Sequence, residues 1–187
     1  MKQKITLMVN RYSIHEANPD GSEGRLLAFA QQKRMSFKEK VTFYTDEART
    51  TELFTFKARH GLDVRAEHDV LDEHGQQIGW FKKHFGLSLL RSTWTVEYGG
   101  VKAVGQERSQ AIALLRRIWD FIPFIGEVWI PFVFHFDFVD EATEAVVMTS
   151  ERRRTLRDRY VITVPDHRMD FRVAASVAVA LDALQSR

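Results

Sequence analysis

Hydrophobic and polar residues alternate with a period of two along most of this chain, and turn residues separate the alternating runs. Such a pattern is typical of an antiparallel barrel or sandwich. Asn, Asp, Pro and Gly mark turns at 18–21, 72–75 and 99–100. The predicted strands are residues 5–14, 26–33, 37–44, 52–59, 63–71, 77–85, 89–98, 127–139, 143–150 and 159–164.

The pattern changes to a helical period near the middle of the chain. Ala111, Leu114, Leu115 and Ile118 recur at helical spacing, which predicts one amphipathic helix near 106–122. Pro123 would end it, because proline cannot continue the hydrogen-bond ladder.

A second predicted helix, residues 169–187, is apolar on nearly every side. No charged residue lies between Arg172 and Asp182. This uncharged stretch covers roughly 14 Å at the helical rise per residue, against about 30 Å of hydrocarbon in a bilayer. The helix is therefore too short to span a membrane and too apolar to face water, and we expect a sheet curled around it.

Burial is expected to be greatest on one set of helix residues and one strand face. Phenylalanines alternate with other residues in 132–139, which places their rings on one sheet face against the helix. The expected buried residues are Val173, Val177, Leu181 and Leu184 of the helix and Phe132, Phe134, Phe136 and Phe138 of the wall.

Composition narrows the class of protein. The 187 residues are 44% hydrophobic with a net charge of +2, and no Pro/Gly/Ser linker divides them, so a single domain over 1–187 is expected. The first residues form an alternating strand, which is not the pattern of a signal peptide. The sequence contains no cysteine, which excludes disulfides and thiolate chemistry and fits a reducing, cytoplasmic location.

Local basic clusters are the candidate surface for an anionic partner, because the whole chain is nearly neutral. Arginine binds two phosphate oxygens with its planar fork, and lysine acts as a point charge. The alternative is that these residues are solvated strand edges. The candidates are Lys33, Arg34, Lys38 and Lys40; Lys82, Lys83 and Arg91; and Arg152, Arg153, Arg154, Arg157 and Arg159.

An apolar loop at 121–126 is the candidate surface for a protein partner. Phe121, Phe124 and Ile125 would be exposed there without a strand partner. The alternative is that they fill the core.

Catalysis is not expected. His68 and Asp69 point to opposite faces of a strand and His74 lies in the following turn, so the three do not converge on a metal. No phosphate-binding loop, nucleophile elbow or paired-carboxylate signature is present. We therefore predict no enzyme activity, no metal and no cofactor. Nucleic-acid binding is not expected either, because the basic runs lack interleaved aromatic residues.

Four segments of the chain resemble a known family. They are residues 43–47 (FYTDE), 53–59 (LFTFKAR), 69–79 (DVLDEHGQQIG) and 85–94 (FGLSLLRSTW). Their order and spacing resemble the LURP-one-related and phospholipid-scramblase-like branch of the tubby C-terminal superfamily. The resemblance implies a closed barrel of about twelve antiparallel strands around a central C-terminal helix, and thus a mainly β protein.

The resemblance also implies contact with lipids. Tubby domains bind phosphoinositide headgroups through basic strand residues, and scramblase-like members contact or move lipids. This chain lacks the cysteine cluster, proline-rich extension and terminal anchor of the scramblases, and its acidic turn at 69–75 lacks the ligand spacing of a calcium loop. Calcium-activated scrambling is therefore not expected.

The leading hypothesis is a non-enzymatic module that recognises anionic phospholipid or phosphoinositide headgroups through a basic outer face. It would lie in the cytoplasm, peripherally on the inner membrane surface and without a transmembrane span. The alternative is a protein-interaction or regulatory scaffold. Lipid scrambling or another enzymatic activity ranks third.

Overall fold

The structure is a computed structural model that describes residues 2–5, 9–33, 40–59, 67–84, 93–108, 135–153 and 159–185. These residues form strands followed by one C-terminal helix. The strands are β1 (Lys2–Ile5), β2 (Val9–Ala17), β3 (Glu23–Lys33), β4 (Lys40–Tyr44), β5 (Glu52–Ala58), β6 (His68–Asp72), β7 (Gln77–His84), β8 (Thr93–Tyr98), β9 (Val101–Glu107), β10 (His135–Asp140), β11 (Val146–Arg153) and β12 (Arg159–Thr163), and the helix is α1 (Phe171–Gln185).

The strands form a closed antiparallel barrel in which each strand pairs with its neighbours in sequence. The barrel closes between β12 and β1 through one residue pair, Arg159 with Lys2. Strand β1 pairs more extensively with β2, from Lys2 with Ser13 to Ile5 with Asn10. The predicted closed barrel of about twelve strands around the terminal helix is confirmed.

The two ends of the barrel are different. Short turns join the strands at one end, at residues 18–22, 45–51, 73–76, 99–100 and 141–145. We call this the turn end. At the other end β3, β5, β7, β9 and β11 finish, and β4, β6, β8, β10 and β12 begin. We call this the basic end, because the three predicted basic clusters all fall at strand junctions there.

The helix fills the barrel, as the sequence predicted. Val173 and Val177 are fully buried and Leu181 is 3% exposed. The side chain of Leu184 lies outside the described residues. Ser176 is also buried, and its hydroxyl donates to the Arg172 carbonyl one turn earlier at 2.8 Å, so its polar group is satisfied within the helix.

Strand β10 forms part of the wall around the helix. Phe136 and Phe138 are buried, which confirms the expected inner face for these two residues. Phe132 and Phe134 lie outside the described residues. Strand β9 leaves room for this wall, because a Cβ added at Gly105 would lie 2.3 Å from Cε1 of Phe138.

Two element predictions need correction. The predicted strand at 5–14 overlaps two antiparallel strands, because Ile5 is the last residue of β1 and residues 9–14 belong to β2. The predicted helix near 106–122 cannot begin at Gln106, because Gln106 and Glu107 belong to β9 and pair with β10. Glu107 continues the alternation of buried positions in that strand. The rest of the predicted helix lies outside the described residues.

Candidate functional site

Basic residues follow one another across the strands where the barrel closes. Arg153 of β11 pairs with Arg159 of β12, and Arg159 pairs with Lys2 of β1. Two positions further along β1, Lys4 pairs with Arg11 of β2. Because neighbouring strands lie about 4.8 Å apart, five basic positions fall within a small area. We call Lys2, Lys4, Arg11, Arg153 and Arg159 the seam row.

The outward direction of the arginines follows from the inward direction of their neighbours. Tyr12 and Tyr160 point into the barrel, where both hydroxyls donate to Asp182 of α1. Side chains alternate along a strand, so Arg11 and Arg159 face outward. Arg11 and Arg153 are exposed and Arg159 is half-buried.

The three arginines of the seam row are only partly neutralised within the described residues. Arg159 donates from Nη2 to the Gly21 carbonyl at 2.8 Å, and its Nε lies 3.9 Å from Oε1 of Glu23. Arg11 and Arg153 form no ion pair within the described part of the chain. Within the described ranges, these two guanidinium groups therefore have no carboxylate partner.

The predicted cluster at the β3–β4 junction lies at the basic end. Lys33 is the last residue of β3 and Lys40 is the first of β4. Lys40 is exposed and pairs with Lys57 of β5, which is also exposed. Arg34 and Lys38 lie outside the described residues.

The predicted cluster on β7 is more extensively compensated. The Lys82 ammonium lies 3.5 Å from Glu67, and the Lys83 ammonium lies 5.7 Å from the centre of the Trp94 ring. Arg59, which follows directly after β5, binds both Glu67 and Asp69. Its pKa is raised chiefly by the hydrogen bond to Asp69. Arg91 lies outside the described residues.

The third predicted cluster divides between two faces. Arg152 pairs with Tyr160, so it shares a face with that inward residue, whereas Arg153 and Arg159 face outward. Arg154 and Arg157 lie outside the described residues. The structure therefore joins Arg153 and Arg159 with Lys2, Lys4 and Arg11, which sequence reasoning did not select. The alternation of Lys2 and Lys4 in the sequence places both lysines on one face of β1. The residues next to them on other strands depend on how the barrel closes, which the alternation does not show.

The other candidate residues do not form a site in the described structure. His68 is buried and stacks on Phe81 at 5.1 Å between ring centres, Asp69 accepts from Arg59 Nε at 2.8 Å, and His74 is exposed in the turn. Among the described residues, no group of three or more His, Asp or Glu side chains is placed to hold a metal ion. The partner-binding candidates Phe121, Phe124 and Ile125 lie outside the described residues.

The fold places this protein in the class of closed antiparallel barrels that are filled by their own C-terminal helix. In this chain, basic residues lie across the barrel closure. Residues 27–182 match the model of the LURP-one-related family. The chain belongs to that family, which is part of the tubby-like superfamily.

Comparison with curated proteins found no match, and comparison with solved structures found none. None of the helices in the described ranges has the length and apolar character needed to cross a membrane.

Proposed function

We propose that this protein is a non-enzymatic binding module that recognises the anionic headgroups of phospholipids, including phosphoinositides, through the seam row. The proposal rests mainly on one observation. Arg153, Arg159 and Lys2 occupy directly paired positions on three neighbouring strands. Like charges directly opposite each other in a sheet are destabilising, and a phosphate placed between two guanidinium groups would relieve that repulsion.

The chemistry of the row suits phosphate better than a neutral ligand. Arginine offers a planar fork that binds two phosphate oxygens at once. Arg11 and Arg153 are exposed and form no ion pair within the described residues, so binding would not first have to break one there. Membership of the tubby-like superfamily agrees with a binding domain.

The expected affinity is low and depends on charge. Each basic residue near an anionic leaflet contributes about 1 kcal/mol. Five such residues would give about 5 kcal/mol if all reached the surface, which corresponds to a Kd between about 0.1 and 1 mM. Binding would therefore be peripheral and reversible. The anionic leaflet of a cell membrane faces the cytoplasm, which agrees with the cytoplasmic location that the sequence suggested.

Four lysines at the basic end would contribute less to headgroup binding than the seam row. They are Lys33, Lys40, Lys82 and Lys83. Their strand junctions lie at the basic end, but Lys82 already has Glu67 as a partner. The protein-interaction alternative depends on Phe121, Phe124 and Ile125 and stays a prediction, as does a single domain over 1–187.

Vesicle cosedimentation tests the proposal. The full chain is mixed with phosphatidylcholine vesicles or with vesicles that also contain a phosphoinositide, at low salt and at high salt. We expect sedimentation only with the anionic vesicles at low salt, because salt at about 1 M reduces the screening length to about 3 Å. Equal binding to neutral and anionic vesicles, or binding that persists unchanged in high salt, would contradict it.

A further inference from the structure

A cavity of about 360 Å³ lies beside the seam row. Arg153 and Arg159 line it together with residues from β2, the β2–β3 turn, β12 and α1. Its volume falls within the range of small-molecule sites, which begins at about 300 Å³. The cavity and the seam row therefore share two arginines.

The cavity forms because β1 fills only part of the gap between β2 and β12. Strand β1 pairs with β2 as far as Ser13 and with β12 only at Arg159. Within the described residues, no strand pairs with the facing edges of β2 at 14–17 and of β12 at 160–163. The β2–β3 pairing shifts register around His15, and the Arg159 hydrogen bond to Gly21 ties the hairpin turn to β12.

The helix face toward this gap consists of one phenylalanine and three alanines. Phe171, Ala174, Ala175 and Ala178 follow the spacing of one helix face, and all four line the cavity. The bulkier Val173 and Val177 lie outside the lining and are fully buried. Phe171 is 42% exposed although it is large and apolar. Larger aliphatic side chains in the rest of the lining include Ile14, Leu27, Ile162 and Val164.

The polar groups of the lining are unevenly compensated. Glu16 binds Arg25 at 2.9 Å, and Glu23 lies 3.9 Å from Arg159. The His15 ring lies 3.1 Å from the Gly24 carbonyl. Arg153 is exposed and forms no ion pair within the described part of the chain. Counting only contacts among the described residues, the cavity therefore combines an apolar interior with one uncompensated cation.

We propose that this cavity binds one acyl chain of an anionic lipid, with Arg153 and Arg159 holding the phosphate or carboxylate at its head. This deepens the headgroup recognition proposed above and rests on it for the choice of an anionic lipid. The apolar walls of Ala174, Ala175 and Ala178 would receive methylene groups, whose removal from water is favourable. A bound chain would raise the affinity above what charges alone supply.

Titration with cis-parinaric acid, a fluorescent anionic fatty acid, tests the cavity in the full chain. Ala175→Leu would place a larger side chain in the space that the acyl chain needs. Ala48→Leu is the matched control, because Ala48 is exposed in the β4–β5 turn and does not line the cavity. We expect saturable binding by wild type and by Ala48→Leu, and binding at least about tenfold weaker by Ala175→Leu, with its thermal midpoint unchanged or raised.

Arg153→Gln gives a second test if Ala175→Leu does not fold. We expect it to weaken the binding of parinaric acid several-fold at low salt and to leave the binding of its uncharged methyl ester unchanged. Equal weakening of the acid and the ester would contradict a headgroup role for Arg153. Equal affinity of wild type and a folded Ala175→Leu variant, or no saturable binding by wild type, would overturn the cavity proposal.

The vesicle assay separates this inference from the proposed function. If wild type binds anionic vesicles but not parinaric acid, the cavity proposal fails and headgroup recognition stands. If wild type binds parinaric acid but does not distinguish anionic from neutral vesicles, headgroup recognition through the seam row fails and the cavity remains an acyl-chain site.

Discussion

The hydroxyl of Tyr160 on β12 donates a hydrogen bond of 2.6 Å to Oδ1 of Asp182 on α1. The Tyr12 hydroxyl on β2 donates to Oδ2 of the same carboxylate at 3.0 Å. Asp182 is 7% exposed, and a buried carboxylate is costly unless hydrogen bonds compensate it. The two tyrosines thus join the central helix to β2 and β12, the two strands that flank β1.

Removing the Tyr160 hydroxyl should destabilise the fold. Tyr160→Phe leaves the ring in place but takes a donor from the Asp182 carboxylate, and a hydrogen bond to a charged group contributes about 2 kcal/mol. Denaturant unfolding should show a loss of about that size in the free energy of unfolding. Tyr44→Phe is the control, since the Tyr44 hydroxyl makes no hydrogen bond within the described residues. Equal losses of unfolding free energy in the two variants would contradict a stabilising role of the hydrogen bond to Asp182.

The contact between Gly105 and Phe138 should tolerate no added methyl group. A Cβ at position 105 would meet three ring carbons of Phe138 at 2.3–2.6 Å. Overpacking of this kind costs about 1–3 kcal/mol, so Gly105→Ala should lower the thermal midpoint. In a Phe138→Leu background the same substitution should cost less, because the ring is gone. Strictly additive losses in the double-mutant cycle would refute this reading.

Acid should weaken the attachment of the helix at the turn end. The Asp166 carboxylate accepts hydrogen bonds from the side chain and the backbone N–H of Arg168 and from the Tyr98 hydroxyl. These hydrogen bonds, the Arg168 side chain first, hold the pKa of Asp166 well below the usual range. A carboxylate whose folded pKa is depressed stabilises the protein above its unfolded pKa and loses that contribution as the pH falls toward the folded value.

The thermal midpoint should therefore fall as the pH is lowered from about 5 to about 3. Asp166→Asn cannot be protonated in this range and should show a shallower dependence. Asp140 lies close by, and its pKa is also lowered, first by the Ala142 backbone N–H, so part of the slope should remain. Identical slopes for wild type and Asp166→Asn would contradict a role for Asp166.

The barrel and the helix inside it could be predicted because both depend on the local pattern of hydrophobic and polar residues. Period-two alternation marks strands wherever one face is apolar, and the charge-free stretch of α1 requires enclosure. Strand β9 was not predicted because its inner positions include Ala103, Gly105 and the buried Glu107, which weaken the contrast between its faces. Gly105 is small because Phe138 occupies the space beside it.

The seam row and the cavity could not be predicted, because both depend on which strands become neighbours. Arg159 and Lys2 are adjacent only because the last strand pairs with the first. Periodicity assigns a residue to a face of its strand, but it does not assign a partner across a gap in sequence of this length. The extent of β1, which leaves the cavity open, is likewise a property of the closed barrel.

The most direct test of the central claim measures how single basic residues affect binding to phosphoinositide-containing vesicles at low salt. Arg11→Gln and Arg153→Gln each remove one cation from the seam row, and Arg49→Gln removes one from the exposed β4–β5 turn, which is not part of that row. At about 1 kcal/mol per cation, each seam variant should bind about fivefold more weakly, and the double variant should combine both losses. Arg49→Gln should bind like wild type. An equal loss in Arg49→Gln, or a double variant that binds as well as wild type, would contradict headgroup recognition by the seam row.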